Sequence, residues 1–262
     1  MNLKIFSLAF VVITLSGVAI ADTVTTPASS STTASKSTFD WTGVYVGGFV
    51  GGATGSDVSN TATRSIGDNT LWNYPGDLNN NYSTKAGFIG GGTVGYNWQI
   101  GKTPYVVGLE GEYGYLNQNG GKADPNAAIG NTISGFHDDN QEGTSIGKDY
   151  GYGLVGGRLG YAIDRSLIYI KSGAVFTSVS HTWSEVAYGP RSTTNKATTT
   201  GYALGAGFEY ALPFKHLTNV SVKTEYLYFG IPTSSTQEVD GLYSTQTTSG
   251  IHTAKIGVNY KF

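Results

Sequence analysis

Eight ionisable side chains stand at alternate positions inside otherwise apolar segments of the sequence. Four are acids and four are bases: Glu110, Glu112, Glu209 and Glu225, and Arg158, Lys171, Lys223 and Lys255. Because the side chains of a β-strand point alternately to its two faces, this spacing predicts that all eight share one face of a sheet. Equal numbers of opposite charges can neutralise one another as a salt-bridged network, or they can line a path for ions. The width of the structure that encloses them decides between the two.

The histidines are further candidates for catalysis or ligand binding: His137, His181, His216 and His252. Their spacing forms no metal-binding motif, and no nucleophile, base and orienting group stand together, so the sequence predicts neither a catalytic set nor a metal site. His181, Trp183 and Tyr188 lie close together in a polar segment that predicts an exposed loop. They offer an axial ligand and stacking surfaces, which makes them a candidate hemin site. The alternative is an interfacial aromatic group beside a polar loop.

Residues 151–156 match the G-x-G-x-x-G spacing of dinucleotide-binding loops. That motif works at a turn from a strand into a helix, where the helix N-terminus receives the phosphates. Here the glycines lie inside a strand-like segment with no helical segment after it. We therefore interpret the match as a coincidence.

Cysteine content and net charge exclude several kinds of chemistry and partner. The chain has no cysteine, which excludes disulfides, thiol catalysis and thiolate metal sites. Its formal net charge is -2, so a nucleic-acid partner is not expected.

The N-terminal sequence predicts two segments before the folded domain. Residues 1–21 contain Lys4, an apolar stretch and the small residues around Ala21, a pattern typical of a secretory signal peptide. A short membrane anchor is the alternative. Residues 22–40 are rich in Ser and Thr, and this composition predicts a flexible periplasmic leader. The folded domain is then residues 41–262.

Period-two alternation marks eight strand candidates in that domain. They are residues 42–52, 86–98, 104–116, 149–162, 166–178, 201–212, 219–229 and 252–262. Short turns alternate with long polar stretches near residues 53–85, 117–148, 179–200 and 230–251. This asymmetry predicts an all-β fold, an eight-stranded antiparallel up-and-down transmembrane β-barrel with four long extracellular loops and three short periplasmic turns. A soluble β-sandwich has no reason to place every long loop at one end.

The predicted outer face of the barrel is apolar and carries no charge. A Lys or Arg that faced lipid at mid-depth would cost roughly 2 to 4 kcal/mol. Aromatic side chains fall at the strand ends on this face and predict two girdles: Trp98, Tyr105, Tyr161, Tyr210, Tyr260 and Phe262 at one rim, and Tyr113, Tyr115, Tyr202, Tyr226 and Tyr228 at the other. The alternating last strand, with Tyr260 and the terminal Phe262, is interpreted as the C-terminal assembly signal.

A barrel of eight strands is only wide enough for side chains to fill it. We therefore favour a salt-bridged network over an ion path for the eight charged residues. Inward glycines, such as Gly95 and Gly207, would leave room for long side chains.

Several strings in the sequence resemble a known family. They are residues 39–48 (FDWTGVYVGG), 94–99 (VGYNWQ), 158–161 (RLGY), 204–210 (LGAGFEY), 225–228 (EYLY) and 256–262 (IGVNYKF). The chain resembles the small porin-like outer-membrane immunogenic proteins of Gram-negative bacteria. Residues 181–184 (HTWS) are similar to a hemin-associated branch of that family. The resemblance implies an abundant, antigenic surface protein tied to envelope integrity, with hemin binding or porin activity proposed for some members.

The expected function is therefore that of a non-enzymatic envelope protein and surface antigen in the outer membrane. Hemin capture through the third loop and passive diffusion through a narrow pore are the alternatives. No cofactor is required by this interpretation, and hemin is the candidate ligand. The expected partners are outer-membrane lipid and lipopolysaccharide, the barrel assembly machinery, and host surface molecules or antibodies.

Overall fold

The computed structural model describes residues 39–55, 57–66, 70–73, 82–123, 141–148, 151–185, 191–239 and 242–262. The strands are β1 (Gly43–Thr54), β2 (Asp57–Ile66), β3 (Thr70–Asn73), β4 (Tyr82–Ser83), β5 (Gly87–Gln99), β6 (Tyr105–Ala123), β7 (Gln141–Ile146), β8 (Tyr152–Ile163), β9 (Ser166–Glu185), β10 (Arg191–Ala211), β11 (Val220–Val239) and β12 (Leu242–Lys261). The signal peptide and nearly all of the predicted leader lie outside the described residues. Among the described residues there is no helix long and apolar enough to cross a membrane.

Eight of these strands close into one antiparallel ring. The order is β1, β5, β6, β8, β9, β10, β11 and β12, and β12 then pairs with β1. Closure leaves the ring without an edge strand, so every strand has a partner on both sides. The predicted antiparallel β-barrel is confirmed. We call the end with the short connections β5–β6, β8–β9 and β10–β11 the turn end, and the opposite end the loop end.

Strands continue beyond the ring at the loop end. β7 pairs with β6 and β9 above β8, and β2 pairs with β12 above β1 and with β3 and β4. The long polar connections predicted near residues 179–200 and 230–251 lie at this end, but much of each is strand, because β9 to β12 run far into them. These stretches are rich in Thr, a β-branched residue that favours strands. Outside lipid the outer face needs no apolar residues, so the apolar alternation is absent there.

The outer face of the ring exposes large apolar side chains. Leu109 is 73% exposed, and Val155 and Leu204 are 65% and 58% exposed. A contiguous apolar band of this kind marks a surface that another apolar phase covers. Side chains predicted for the two aromatic girdles lie on the same face, and Tyr105 contacts Tyr161 at 5.6 Å between ring centroids at the turn end. At the C-terminus, Tyr260 packs edge-on against Phe262, with 5.2 Å between centroids.

The interior of the barrel is layered, and β9 shows the order. Leu167 is buried near the turn end, Lys171 follows, then Val175, and His181 lies nearest the loop end. The turn-end apolar layer consists of Trp41, Val106, Ala162, Leu167, Tyr169 and Ala211, with Phe39 packed against it. The loop-end apolar layer includes Phe49, Ile89, Leu116, Ile146, Leu154, Val175, Leu227, Phe229 and Ile251. Charged side chains fill the space between the two layers.

The segment before β1 is part of this packing. The Trp41 side chain is 2% exposed, and Phe39 packs against it with 4.8 Å between ring centroids. The backbone N–H of Trp41 donates to Gln99 Oε1 at 3.1 Å. Packing of the barrel at the turn end therefore begins a few residues before its first strand.

Candidate functional site

The structure brings all eight charged residues of the sequence pattern together inside the barrel. They come from six different ring strands: Glu110 and Glu112 on β6, Arg158 on β8, Lys171 on β9, Glu209 on β10, Lys223 and Glu225 on β11, and Lys255 on β12. Each is between 1% and 5% exposed. We call this set the charge cluster. Because it holds four acids and four bases, its formal charges sum to zero.

Lys171 lies at the centre of the charge cluster. Its Nζ atom donates hydrogen bonds to Glu110 and Glu112 and lies 3.4 Å from Glu225 Oε2. One ammonium therefore contacts three carboxylates. Oxygens of the three glutamates lie within 4.8 Å of one another, a spacing that also suits a metal ion. Here the Lys171 ammonium already supplies the positive charge at that position.

Two further lysines neutralise the carboxylates from the sides. Lys255 Nζ lies 2.8 Å from Glu112 Oε2 and 2.7 Å from Glu225 Oε1. Lys223 Nζ lies 3.4 Å from Glu110 Oε2. Each of these glutamates thus contacts at least two cationic groups, which offsets the cost of burying its charge.

Arg158 and Glu209 form the part of the charge cluster nearest the turn end. Arg158 Nη1 lies 3.0 Å from Glu209 Oε2, and Arg158 Nε donates to Asn97 Oδ1 at 2.8 Å. Glu209 Oε1 accepts hydrogen bonds from Ser221 Oγ at 2.5 Å and from Asn259 Nδ2 at 2.8 Å. Both charged groups are therefore held by neutral polar partners as well as by each other.

Three buried tyrosines, which the sequence reasoning missed, complete the network. The hydroxyl of Tyr45 donates to Glu110 at 2.5 Å, that of Tyr152 to Glu112 at 2.9 Å, and that of Tyr169 to Glu225 at 3.0 Å. Tyr45 also lies beneath the Arg158 guanidinium, 4.6 Å from its ring centroid, a favourable cation–π distance. Each tyrosine satisfies a carboxylate without adding charge.

Inward glycines make room for two of these rings. A Cβ atom at Gly95 would lie 2.3 Å from the Tyr45 hydroxyl oxygen, and one at Gly207 would lie 2.3 Å from Tyr169 Cζ. The expected role of these glycines was to accommodate long charged side chains. The structure shows that they accommodate tyrosines instead. An inward Tyr placed opposite an inward Gly is the sequence signal that would have identified them.

The candidate hemin residues are arranged differently from the prediction. His181 is in β9, not in an exposed loop, and is 1% exposed. The backbone of Trp183 pairs with Thr193 and Glu142 on the neighbouring strands. Tyr188 lies outside the described residues. The prediction that His181 lies in an exposed loop is therefore wrong. Strand β9 continues past the apolar band, and its side-chain alternation turns this residue inward. Hemin binding itself stays a prediction.

His181 belongs to a small hydrogen-bonded group that we call the polar centre, formed with Tyr82, Thr144 and Gln246. His181 Nδ1 lies 3.0 Å from Thr144 Oγ1 and 3.1 Å from Gln246 Oε1. The Tyr82 hydroxyl lies 2.6 Å from Thr144 Oγ1 and donates to Gln246 Oε1 at 3.2 Å. The group joins β4, β7, β9 and β12 at the base of the loop-end extension. Burial lowers the pKa of His181 below its usual value, and the hydrogen bond to Gln246 opposes this only in part.

Apart from Tyr152, which donates to Glu112, the residues of the other sequence motifs take no part in either group. Residues 151–156 lie at the start of β8 and within it, a strand that returns through a short turn into β9. His137 lies outside the described residues. His216 is in the β10–β11 connection, and His252 faces outward on β12.

An edgeless antiparallel barrel with an apolar belt, aromatic rims and a neutralised interior defines a β-barrel protein of an outer membrane. The comparisons with known proteins agree with this class. The family described as outer membrane protein beta-barrel domain matches residues 23–262. The chain belongs to this family of outer-membrane β-barrels, and its relatives are immunogenic outer-membrane proteins. Its turn end, with the short connections, thus faces the periplasm.

Two curated relatives and one solved structure illustrate the similarity. The 31 kDa outer-membrane immunogenic proteins of Brucella melitensis and Brucella suis are each 31% identical over 255 residues, which cover 92% of this chain and 92% of the relative. The outer membrane protein OprG from Pseudomonas aeruginosa is 13% identical, with a TM-score of 0.44, over 86% of this chain and 98% of OprG.

Proposed function

We propose that this protein is a non-enzymatic structural protein and surface antigen of the outer membrane, and that the charge cluster closes its interior to ions. The observation that carries the proposal is the position of the charge cluster between two apolar layers. A structural or antigenic barrel needs a stable wall and exposed outer segments, and it needs no continuous aqueous path. The immunogenic relatives support a surface role.

The contacts of Lys171 support a closed interior. A diffusion channel requires water along its whole length and sites that ions can enter and leave. Here the ammonium of Lys171 contacts Glu110, Glu112 and Glu225, and these side chains are nearly fully buried. Separating them would leave uncompensated charges inside the barrel, which typically costs about 3 to 5 kcal/mol for one broken pair.

The apolar layers add a second barrier. Phe49, Leu116 and Phe229 lie on the loop-end side of the charge cluster, and each is at most 4% exposed. An ion that passed the cluster would have to lose its hydration shell here, where the layer offers few polar partners. Trp41 lies in the apolar layer on the other side of the charge cluster, at the turn end.

Conductance across a planar bilayer tests the proposal. We expect no stable ion steps from the refolded mature protein at neutral pH. The double variant Glu110→Ala, Glu112→Ala removes the carboxylates around Lys171 and should produce ion steps. The control variant Val107→Ala, Leu109→Ala changes lipid-facing side chains of the same strand and should stay silent.

Heat-modifiable migration in gels verifies that each protein is folded before its conductance is interpreted. If the double variant does not fold, Glu112→Gln replaces it, because this variant keeps the side-chain volume and removes only the charge. Stable steps from the unmodified protein would overturn the closed interior and favour passive diffusion. Silence from a folded double variant would instead mean that the charge cluster is not the barrier.

A further inference from the structure

An aromatic cluster with one histidine lies on the outer face at the loop end, apart from the interior groups already described. It consists of Tyr202 on β10, Tyr226 and Tyr228 on β11, and His252 on β12, and we call it the rim cluster. Tyr202 is 54% exposed and Tyr226 is 40% exposed. His252 is also exposed. Its neighbours in register are Tyr228 and Thr54, so no carboxylate opposes it on either adjacent strand.

The rim cluster marks the upper boundary of the apolar belt. On the outer face, Leu204 and Ile256 lie on the membrane side of it and are 58% and 53% exposed. Beyond it the same face carries polar residues such as Thr200 and Ser234. From Tyr210 at the periplasmic rim to Tyr202, eight residue steps of about 3.3 Å at a tilt of about 40° span roughly 20 Å. This distance places the rim cluster at the head groups of the outer leaflet.

The rings of the rim cluster are packed into a continuous surface. Tyr226 stacks on His252 with 6.0 Å between centroids and 28° between planes, and Tyr228 lies 5.0 Å from His252. Tyr202 continues the surface at 6.1 Å from Tyr228. Two glycines permit this packing, because a Cβ at Gly230 would lie 2.3 Å from Tyr202 Cζ and one at Gly250 would lie 2.6 Å from the Tyr228 hydroxyl oxygen.

A hydrogen bond orients the imidazole of His252. The Tyr226 hydroxyl and His252 Nδ1 are 2.5 Å apart. When this hydroxyl donates to Nδ1, the neutral imidazole carries its proton on Nε2. Nε2 is then a hydrogen-bond donor. The rim cluster thus combines aromatic faces, tyrosine hydroxyls and a donor for an anion.

We propose that the rim cluster binds the phosphorylated glucosamine head group of an outer-leaflet glycolipid, the lipid A part of lipopolysaccharide. The apolar face of a sugar ring would stack on Tyr202 and Tyr228, and a phosphate oxygen would accept a hydrogen bond from His252. A phospholipid of the same leaflet offers a phosphate without a sugar ring, so it could use only one half of this surface. The proposal concerns the outer wall and holds whether or not the interior conducts ions.

The experiment measures glycolipid retention by native mass spectrometry of the full mature protein in nanodiscs. The nanodiscs contain phosphatidylcholine and are titrated with lipid A, with dephosphorylated lipid A, or with phosphatidylglycerol. We expect the unmodified protein to prefer lipid A over phosphatidylglycerol by about tenfold. In His252→Ala, the affinity for lipid A should fall to the affinity for dephosphorylated lipid A. Tyr202→Ala, Tyr228→Ala should weaken both forms.

A matched control uses the tyrosine pair of the periplasmic rim. Tyr105→Ala, Tyr161→Ala also removes two contacting rings from the outer face but should leave lipid A retention unchanged. Equal losses in the two double variants would show general interfacial anchoring and overturn the proposal. So would equal retention of lipid A and phosphatidylglycerol by the unmodified protein. Gel migration confirms folding, and His252→Gln replaces His252→Ala if that variant is unfolded.

Discussion

At the scale of single residues, the interior depends on how tyrosines and glycines are paired across strands. Tyr45 reaches Glu110 because its ring lies over Gly95 on the neighbouring strand, and Tyr169 reaches Glu225 over Gly207. A hydroxyl that donates to a buried carboxylate stabilises the charge without requiring another cation. Four bases can therefore balance four acids while each carboxylate still has enough hydrogen-bond donors.

Gly95→Ala should destabilise the folded barrel. The new Cβ would lie 2.3 Å from the Tyr45 hydroxyl oxygen and 2.7 Å from the carbonyl oxygen of Leu109. Because the ring and the backbone cannot both move away, we expect the free energy of unfolding to fall by about 1 to 3 kcal/mol. Urea titration in lipid vesicles, followed by tryptophan fluorescence, measures this change. The control is Gly111→Ala, whose Cβ would meet its nearest atoms at ordinary contact distance, 3.9 Å. Equal stability of the two variants would contradict the prediction.

At the scale of the elements, the ring strands could be predicted from the sequence and the loop-end extension could not. In β5 and β12 lipid requires an apolar outer face, so period-two alternation is visible. In the extension both faces of β10 are exposed or nearly so around Lys196, and no such pattern arises. The eight charged residues were found because they interrupt apolar segments. Tyr45, Tyr152 and Tyr169 were missed because aromatic residues occur on both faces of the barrel.

Acidic pH should loosen the extension through His181. Burial lowers the pKa of His181, so the folded state binds fewer protons than the unfolded state, where the pKa is about 6.5. The contribution of His181 to stability is therefore complete above that pH and is lost as the pH falls below it. One proton changes the free energy of unfolding by at most about 1.4 kcal/mol per pH unit.

Hydrogen exchange of β7 and β9 amides between pH 7.5 and 5 measures this effect. The wild-type amides near Thr144 should lose protection at the acidic end. The Gln side chain of His181→Gln cannot take up a proton. In this variant the part of the loss of amide protection that is due to residue 181 should therefore disappear. The same pH profile in both proteins would assign the acid sensitivity to other groups.

At the scale of the whole molecule, the protein separates its surfaces by the medium that each one meets. The interior neutralises its own charges, the belt meets lipid, and the extension at the loop end meets the cell exterior. Changes on one surface should therefore have little effect on the others. The C-terminal residue provides a test, because we predict that it contributes to recognition during assembly more than to the finished barrel.

Deletion of Phe262 should reduce assembly in cells without changing the stability of the folded protein. Its side chain is 70% exposed, so its removal from the folded barrel exchanges little buried surface. Its backbone N–H donates to the Val44 carbonyl at 2.9 Å, a single hydrogen bond worth about 1 kcal/mol. We expect the amount of protein in the outer membrane to fall severalfold, whereas refolding in detergent and the urea midpoint should change little. Phe262→Tyr keeps a terminal aromatic ring and should restore assembly. If the deletion lowered the refolding yield as much as the level in cells, Phe262 would be a structural residue and not part of an assembly signal.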